Sequence, residues 1–486
     1  MSNSIALELN KTSHKYTRQK SFSTNSCNTQ KIYVYILLVS TIFFILFQIH
    51  ALTSPSSPPT PSPLSWASSR NMSLYDDDNS SQLITKLRQS VTFLPLKDLR
   101  YAHEALAGHT WFMSSLYDKN EKGEVQHQYF PSPESQGRLL CLQGNDTHDG
   151  SWNSYALAWE EALPYNATVL KGLTFVSYSH YSWGNIWHGL SAAFPFIGWH
   201  IKSGCEKPDR WVVYYQGEIR SGISEWLTHL LDATFGGKMK FEAFTQMNGP
   251  VCFERAVVMR HNEGGMSRER RVEGYDLLRC KARIYCNVSL MGRGADIDEK
   301  GVPKIALTMF MRTGARSFWN DSIVTKIFEK ECLKVDGCGI KVAYTDNLSF
   351  CEQVSLMSAT DILVSPHGAQ LTNMFFMDKN SSVLEFFPKG WLKLAGVGQY
   401  VYHWLASWSD MKHRGAWRDP NGEPCPFPED DIRCFSLWKG GKIGYNETYF
   451  TEWARSVLND VKVNKMDEAA KRKESKQPLE PTTCQC

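Results

Sequence analysis

Hydrophobic and polar positions change period in a regular order through the second half of the chain. Lys304–Arg312 (KIALTMFMR) reads as a strand, 321–332 has helical spacing, and Gly339–Thr345 (GIKVAYT) is again strand-like. Ser349–Ala359 is helical, Asp361–Pro366 (DILVSP) a strand, HGAQLTNMFFM the start of a helix, and Ser381–Phe387 (SSVLEFF) a strand. Strands alternating with helices predict an α/β fold with a doubly wound parallel sheet. Such sheets bind ligands beyond the carboxyl ends of their strands. Upstream, Gly184–Ile201 is apolar enough for a buried helix. Arg210–Gly217 (RWVVYYQG) and Gly249–Arg260 read as strands flanking a helix over Ser221–Phe235. These blocks predict two α/β domains, 91–300 and 301–461. The polar residues 462–486 are expected to be disordered.

One apolar block stands apart. Ile32–Leu52 is 21 residues without a charge, enough to span about 30 Å of hydrocarbon. Lys11, Lys15, Arg18, Lys20 and Lys31 precede it against Glu8 alone, and Asp76, Asp77 and Asp78 follow it. The positive-inside rule puts residues 1–31 in the cytosol and the body in the lumen, as a single-pass type II signal anchor over 32–52. A cleaved signal peptide is the alternative; the long polar lead and the lack of a small-x-small site speak against it. Residues 53–90, opening with TSPSSPPTPSPLSWASSR, form a lumenal stem. Asn-x-Ser/Thr sequons at Asn71, Asn79, Asn145, Asn166, Asn287, Asn320, Asn347, Asn380 and Asn446 exceed chance and fit a glycosylated lumenal body. Of 13 Cys, 12 follow the span. Cys280/Cys286, Cys332/Cys338 and Cys425/Cys434 are candidate local disulfides, with free buried thiols the alternative.

Composition narrows the class. The chain has 486 residues, 42% of them apolar, which excludes a mostly disordered protein. The 53 Lys+Arg against 50 Asp+Glu leave a net charge of +3 and give no reason to expect a nucleic-acid partner.

In DILVSPHGAQLTN a buried strand ends, His367 and Gly368 turn, and a helix starts near Ala369. Helix N–H groups and a glycine that permits close backbone approach suit a diphosphate. Arg312 and Arg316 follow the first strand of the same sheet and can neutralise a departing diphosphate at the same rim. Either feature alone has an ordinary structural explanation, a glycine turn or a solvated arginine; one shared rim makes them support each other. Glu385 ends another strand, where a carboxylate can hold ribose hydroxyls or a salt bridge.

SPHGAQLTNMFFM followed by SSVLEFFP resembles the C-terminal half of glycosyltransferase family 61. MRTGARSFWND, VCFERAVV and GNIWHGLSA resemble its Arg-rich segment, its Cys-Phe strand and its Asn-x-x-His helix. The resemblance implies an inverting transferase of GT-B architecture, two Rossmann-like domains facing a cleft, with 91–300 on the acceptor side and 301–461 on the nucleotide-sugar side. It would move a pentose or N-acetylglucosamine from a UDP-sugar to a polysaccharide or glycoprotein, in the Golgi membrane. It implies Arg312, Arg316, His367, Gly368, Ala369, Asn373 and Glu385 as nucleotide-sugar-binding residues. His188 is the candidate base, with Arg312, Arg316 and His367 assisting departure. Many relatives carry a carboxylate four positions after the helix His; here Ala192 stands there. That departure motivates the alternative of a catalytically inactive glycan-binding or scaffold protein. Asp296-Ile297-Asp298 has the letters of a metal motif without the preceding strand, and the arginines can replace a cation, so no metal or other cofactor is expected. A lumenal sulfotransferase would need an early phosphate-binding loop that the chain lacks. Trp404, Trp408 and Trp417 either wall an acceptor groove or belong to a disulfide-pinned structural extension.

Overall fold

A computed structural model describes residues 77–101, 124–144, 152–179, 184–244, 248–259, 265–391 and 396–475. The expected tail, span and most of the stem lie outside these residues. Among the described residues no helix is long and apolar enough to cross a membrane. The described residues from Asp78 onward form one compact unit.

Two sheets organise it. The first contains β1 (Leu94–Pro95), β2 (His127–Phe130), β3 (Leu139–Gln143), β4 (Ser154–Ala158), β5 (Thr168–Tyr178), β6 (Arg210–Tyr215), β7 (Glu218–Ile219), β8 (Lys240–Glu242) and β9 (Val251–Met259). Its order is β1-β4-β3-β9-β5-β6-β7, with β2 also on β9 and β8 on β6. Parallel pairing is confined to β5 with β6 and β9, and β6 with β8. The remaining pairs are antiparallel. The doubly wound expectation therefore fits only the centre of this sheet. The second contains β10 (Ile305–Met311), β11 (Cys338–Tyr344), β12 (Ile362–Pro366), β13 (Ser382–Phe387) and β14 (Lys412–Arg418), in the order β11-β10-β12-β13-β14. Every pair in it is parallel, as predicted.

The helices are α1 (Asp77–Gln89), α2 (Ile186–Lys202), α3 (Glu225–Phe235), α4 (Arg268–Tyr285), α5 (Asp321–Cys332), α6 (Phe350–Ser358), α7 (Val401–Trp408), α8 (Ile432–Lys439) and α9 (Glu447–Ser475). α3 starts at Ser224, whose side chain accepts from the Leu227 N–H, and ends at Gly236 in the left-handed region (φ 69°). One hydrophobic core joins Phe175 and Trp211 of the first sheet to Phe310, Leu363 and Val383 of the second through α2, α3, α4 and α7. On the other face of the second sheet, Leu307, Met309 and Met311 pack against Phe450, Val457 and Leu458 of α9. The two-residue period of β10 sends Phe310 to one core and its neighbours to the other.

Two expectations are corrected. The C-terminal tail is not disordered from 462: α9 continues to Ser475. Lys465 on it is buried, pairing with Asp361 at 2.8 Å and donating to the Arg293 carbonyl at 2.7 Å. Cys286 joins Cys351 rather than Cys280. Cys280 lies six positions earlier on α4 and its cap, about 9 Å along the axis and beyond disulfide reach. Cys205 and Cys280 are each disulfide-bonded. The Cys332–Cys338 and Cys425–Cys434 bridges are present, and Cys141–Cys252 crosses a register pair of β3 and β9.

Candidate active site

The strand order of the second sheet reverses between β10 and β12, because β11 lies on the far side of β10. In open parallel sheets the crevice at such a reversal is where ligands bind. Pairing runs from Leu307↔Ile362 to Met309↔Val364 and then stops. Beyond that point the Ser365 hydroxyl donates to the Phe310 carbonyl at 2.8 Å. Arg312 follows β10 by one residue, and His367 follows β12 by one residue. Arg312 Nη1 donates to the His367 carbonyl at 3.3 Å and to Gln370 Oε1 at 3.5 Å. The two sequence features read as one rim are thus in contact.

After Gly368 the expected helix starts at Ala369 and is a 3₁₀ helix, Ala369–Phe376. Tertiary bonds hold it. Arg279 Nε donates to the Phe375 carbonyl at 2.8 Å, and Arg283 Nη2 to that of Phe376 at 2.7 Å, so two α4 arginines satisfy the terminal carbonyls. Gly368 is extended, and its use is spatial. A Cβ there would collide with the Arg312 guanidinium and the Gln370 amide.

His367 is buried, with Nδ1 2.5 Å from Glu385 Oε1. Its ring lies among Phe387, Trp391 and Tyr402, at 4.6, 4.6 and 5.2 Å between centroids. Glu385 is fully buried, and its other oxygen, Oε2, is 2.8 Å from His413 Nε2 on β14. Burial works against the Glu385 charge, but bonds from His367 and His413 outweigh it and hold its pKa down to about 2. Burial pushes His367 down, with Glu385 opposing and Arg316 and Arg312 adding to the depression. The two rings address opposite oxygens, so the trio does not converge on one point. Among the described residues no group of three His, Cys, Asp or Glu side chains is arranged to hold a metal ion.

Arg312 and Arg316 are half-buried. Neither has a carboxylate in ion-pair contact among the described residues, and the Nε of each is buried without a partner. Arg316 sits 5.3 Å over the Trp391 ring, in the left-handed region (φ 61°), with its N–H donated to the Gly441 carbonyl at 3.1 Å. A non-glycine residue there carries backbone strain that the surrounding fold must offset. Burial, then repulsion from Arg312, pushes the Arg316 guanidinium down to about 10, and burial also lowers Arg312. Both remain cations at neutral pH.

His188 lies in the first turn of α2, where the Asn185 side chain caps the Trp187 and His188 N–H groups at 3.0 and 3.4 Å. It is half-buried, and burial, then Lys439, pushes its pKa down to about 4, so it is neutral at pH 7. Trp187 packs on Tyr402 at 5.9 Å, and Tyr402 on His367, which links this turn to the rim. Ala192 is buried in the shared core.

Other expected residues stand differently. Glu385 is engaged by two imidazoles, so it orients His367 and has no oxygen open to a ribose. Asn373 is fully buried, accepting from Trp226 Nε1 at 2.8 Å and donating to the Gln370 carbonyl at 3.0 Å. It ties α3 to the 3₁₀ helix rather than facing a ligand. Trp404 and Trp408 are core residues, and Trp417 packs on Tyr449 and Phe450. Asp296 pairs with Arg293, and Asp298 accepts from the Lys300 and Val302 N–H groups within its loop. Of the sequons, Asn79, Asn166, Asn287, Asn347, Asn380 and Asn446 are exposed. Asn320 is half-buried and caps α5 through the Ile323 N–H. Asn71 and Asn145 lie outside the described residues. His413, Gln370, Trp391 and Tyr402 were not foreseen. β14 (KHRGAWR) has no apolar alternation to announce a strand, and without the strand His413 has no place beside Glu385.

These features define an α/β protein whose parallel sheet gathers, at its reversal point, two guanidinium groups without carboxylate partners among the described residues. Residues 187–384 match the family model of glycosyltransferase 61, which bears out the resemblance over this segment. A nucleotide-sugar donor and a glycan acceptor follow at that level. No curated protein matches the chain. Among solved structures, rubredoxin oxygen:oxidoreductase from the anaerobe Desulfovibrio gigas aligns over 44% of each chain at 7% identity and a TM-score of 0.23, too slight a likeness to carry an argument.

Proposed function

We propose that the protein is an inverting Golgi glycosyltransferase that moves a pentose or N-acetylglucosamine from a UDP-sugar to a glycan or glycoprotein, its two sheets serving as the halves of a GT-B enzyme. The observation that carries this reading is the pair Arg312 and Arg316: half-buried, without carboxylate partners among the described residues, Arg312 bonded to the His367 carbonyl and Arg316 over Trp391. The donor diphosphate lies at this rim, and both guanidinium groups bond its oxygens. The acceptor hydroxyl oxygen attacks the anomeric carbon, the bond from that carbon to the diphosphate breaks, and UDP leaves with the electron pair. His188, neutral in the free protein, takes the hydroxyl proton. Inversion follows from a single displacement. The arginines supply the charge that a divalent cation supplies elsewhere, so EDTA should leave activity intact. The enzyme is held in the Golgi membrane by the span at 32–52.

The position of Ala192 in the core favours a second reading, nucleotide binding without turnover, because no acid stands one turn after His188 on α2. Incubating the purified protein with radiolabelled UDP-xylose, UDP-arabinose and UDP-N-acetylglucosamine and a panel of glycan acceptors separates the two. Transfer with an inverted anomeric centre supports the first. UDP retention without transfer supports the second, and the absence of UDP binding removes both.

A further inference from the structure

A cavity of about 860 Å³ opens in the first sheet, where β2 and the β3–β4 pair part beside the C-terminal half of α2. Its volume is in the range of sites for small molecules, roughly 300–1,000 Å³. It is remote from the rim described above: Trp199 in its wall lies about 16 Å along α2 from His188.

Three observations specify its contents. First, Gln128 is 9% exposed, and neither its amide nitrogen nor its amide oxygen has a partner. His127 Nε2, on the opposite face of β2, is likewise buried and unpartnered. Burial pushes His127 down to about 4 against backbone hydrogen bonds at Pro195 and Val125, so the ring is neutral and Nε2 is the nitrogen left without a partner. A buried amide with neither group satisfied is destabilising, and a ligand with paired donors and acceptors removes that cost. Second, the walls are aromatic. Trp199 is fixed by donating Nε1 to the Tyr129 hydroxyl at 3.2 Å, and Trp159 lies under Arg138 at 5.5 Å. Third, the charges balance: Glu124 and Glu134 against Arg138 and Lys202, with Glu124 already bonded to Arg270. Flat apolar walls, amide-type bonding groups and no net charge match a sugar, whose C–H faces are apolar and whose hydroxyls both donate and accept.

We propose that this cavity is a second carbohydrate site that takes an uncharged oligosaccharide segment. It makes no use of the arginine rim, so it goes beyond the transferase reading and stands or falls separately from it.

Isothermal titration of the full-length protein with xylohexaose, cellohexaose and chitohexaose tests the proposal, with trigalacturonate as the charged comparison. At least one neutral oligomer should bind saturably. Gln128→Leu, which keeps the shape but removes the amide, and Trp159→Ala should each weaken that binding about tenfold. UDP affinity should not change in either variant; UDP titration also reports folding, and the Trp159 variant decides if the Gln128 variant does not fold. The proposal is overturned if no neutral oligomer binds, if binding is the same in the folded variants, or if trigalacturonate binds best. Loss of UDP binding by the parent protein would count against the transferase reading alone.

Discussion

His413 Nε2 and Glu385 Oε2 lie 2.8 Å apart inside the second sheet, and the same carboxylate holds His367 through its other oxygen. A residue on β14 thereby governs the orientation of a ring at the end of β12. His413→Phe leaves Glu385 Oε2 buried and unpaired, which should cost about 1–3 kcal/mol of stability. Thermal unfolding measures this, and an unchanged Tm would show that Glu385 has another source of support. UDP affinity should fall as well, since His367 carries the carbonyl that Arg312 bonds.

Arg312→Ala and Arg316→Ala should each weaken UDP binding about 10–100-fold, the loss of a charge-assisted bond of about 1.5–3 kcal/mol. Arg312→Lys should recover little, because Nη1 already serves the His367 carbonyl and Gln370, and only a guanidinium has a second terminal nitrogen left for a phosphate oxygen. Titration at low and moderate salt provides the check: the parent should lose affinity as salt rises, and the variants less so.

His188→Ala should lower kcat by about 10²–10⁴ while UDP affinity stays close to that of the parent. Radiometric transfer assays beside UDP titration separate the two quantities. Full activity in this variant would remove His188 as the base.

Gly368→Ala puts a methyl group where the Arg312 guanidinium and the Gln370 amide lie. The extended backbone accepts alanine, so the fold should survive with Tm nearly unchanged. UDP affinity should drop as Arg312 is pushed aside. Circular dichroism with UDP titration distinguishes this outcome from misfolding.

Acid should destabilise the protein in a defined window. His127 and His188 are held down to about 4 by burial, below the ordinary histidine value of 6.5. Between those values the unfolded chain binds protons that the folded chain refuses, so stability falls as pH drops from about 6.5 towards 4. Glu385, held down to about 2, extends the loss below the ordinary carboxylate range. Chemical denaturation from pH 7.5 to 4 should show the decline, and His188→Gln should make it shallower.

The periods of the sequence by themselves determined β10 to β13 of the parallel second sheet, the strand ends that carry Arg312 and His367, and the reading of a site at their common rim. Those elements are local: each strand announces itself by its own run of apolar residues, and a parallel α/β order leaves few topologies open. Tertiary packing alone decided the rest. Glu385 and Asn373 look like ligand contacts in sequence, yet β14 and α3 supply the partners that bury them, His413 and Trp226. The segment after Gly368 became a 3₁₀ helix because Arg279 and Arg283, some ninety residues earlier, claim its last carbonyls. The disulfide of Cys286 with Cys351 likewise depends on two helices meeting across 65 residues of chain. Spacing within a segment records which element forms. Which side chains find partners depends on elements far apart in the chain, and no local pattern carries that information.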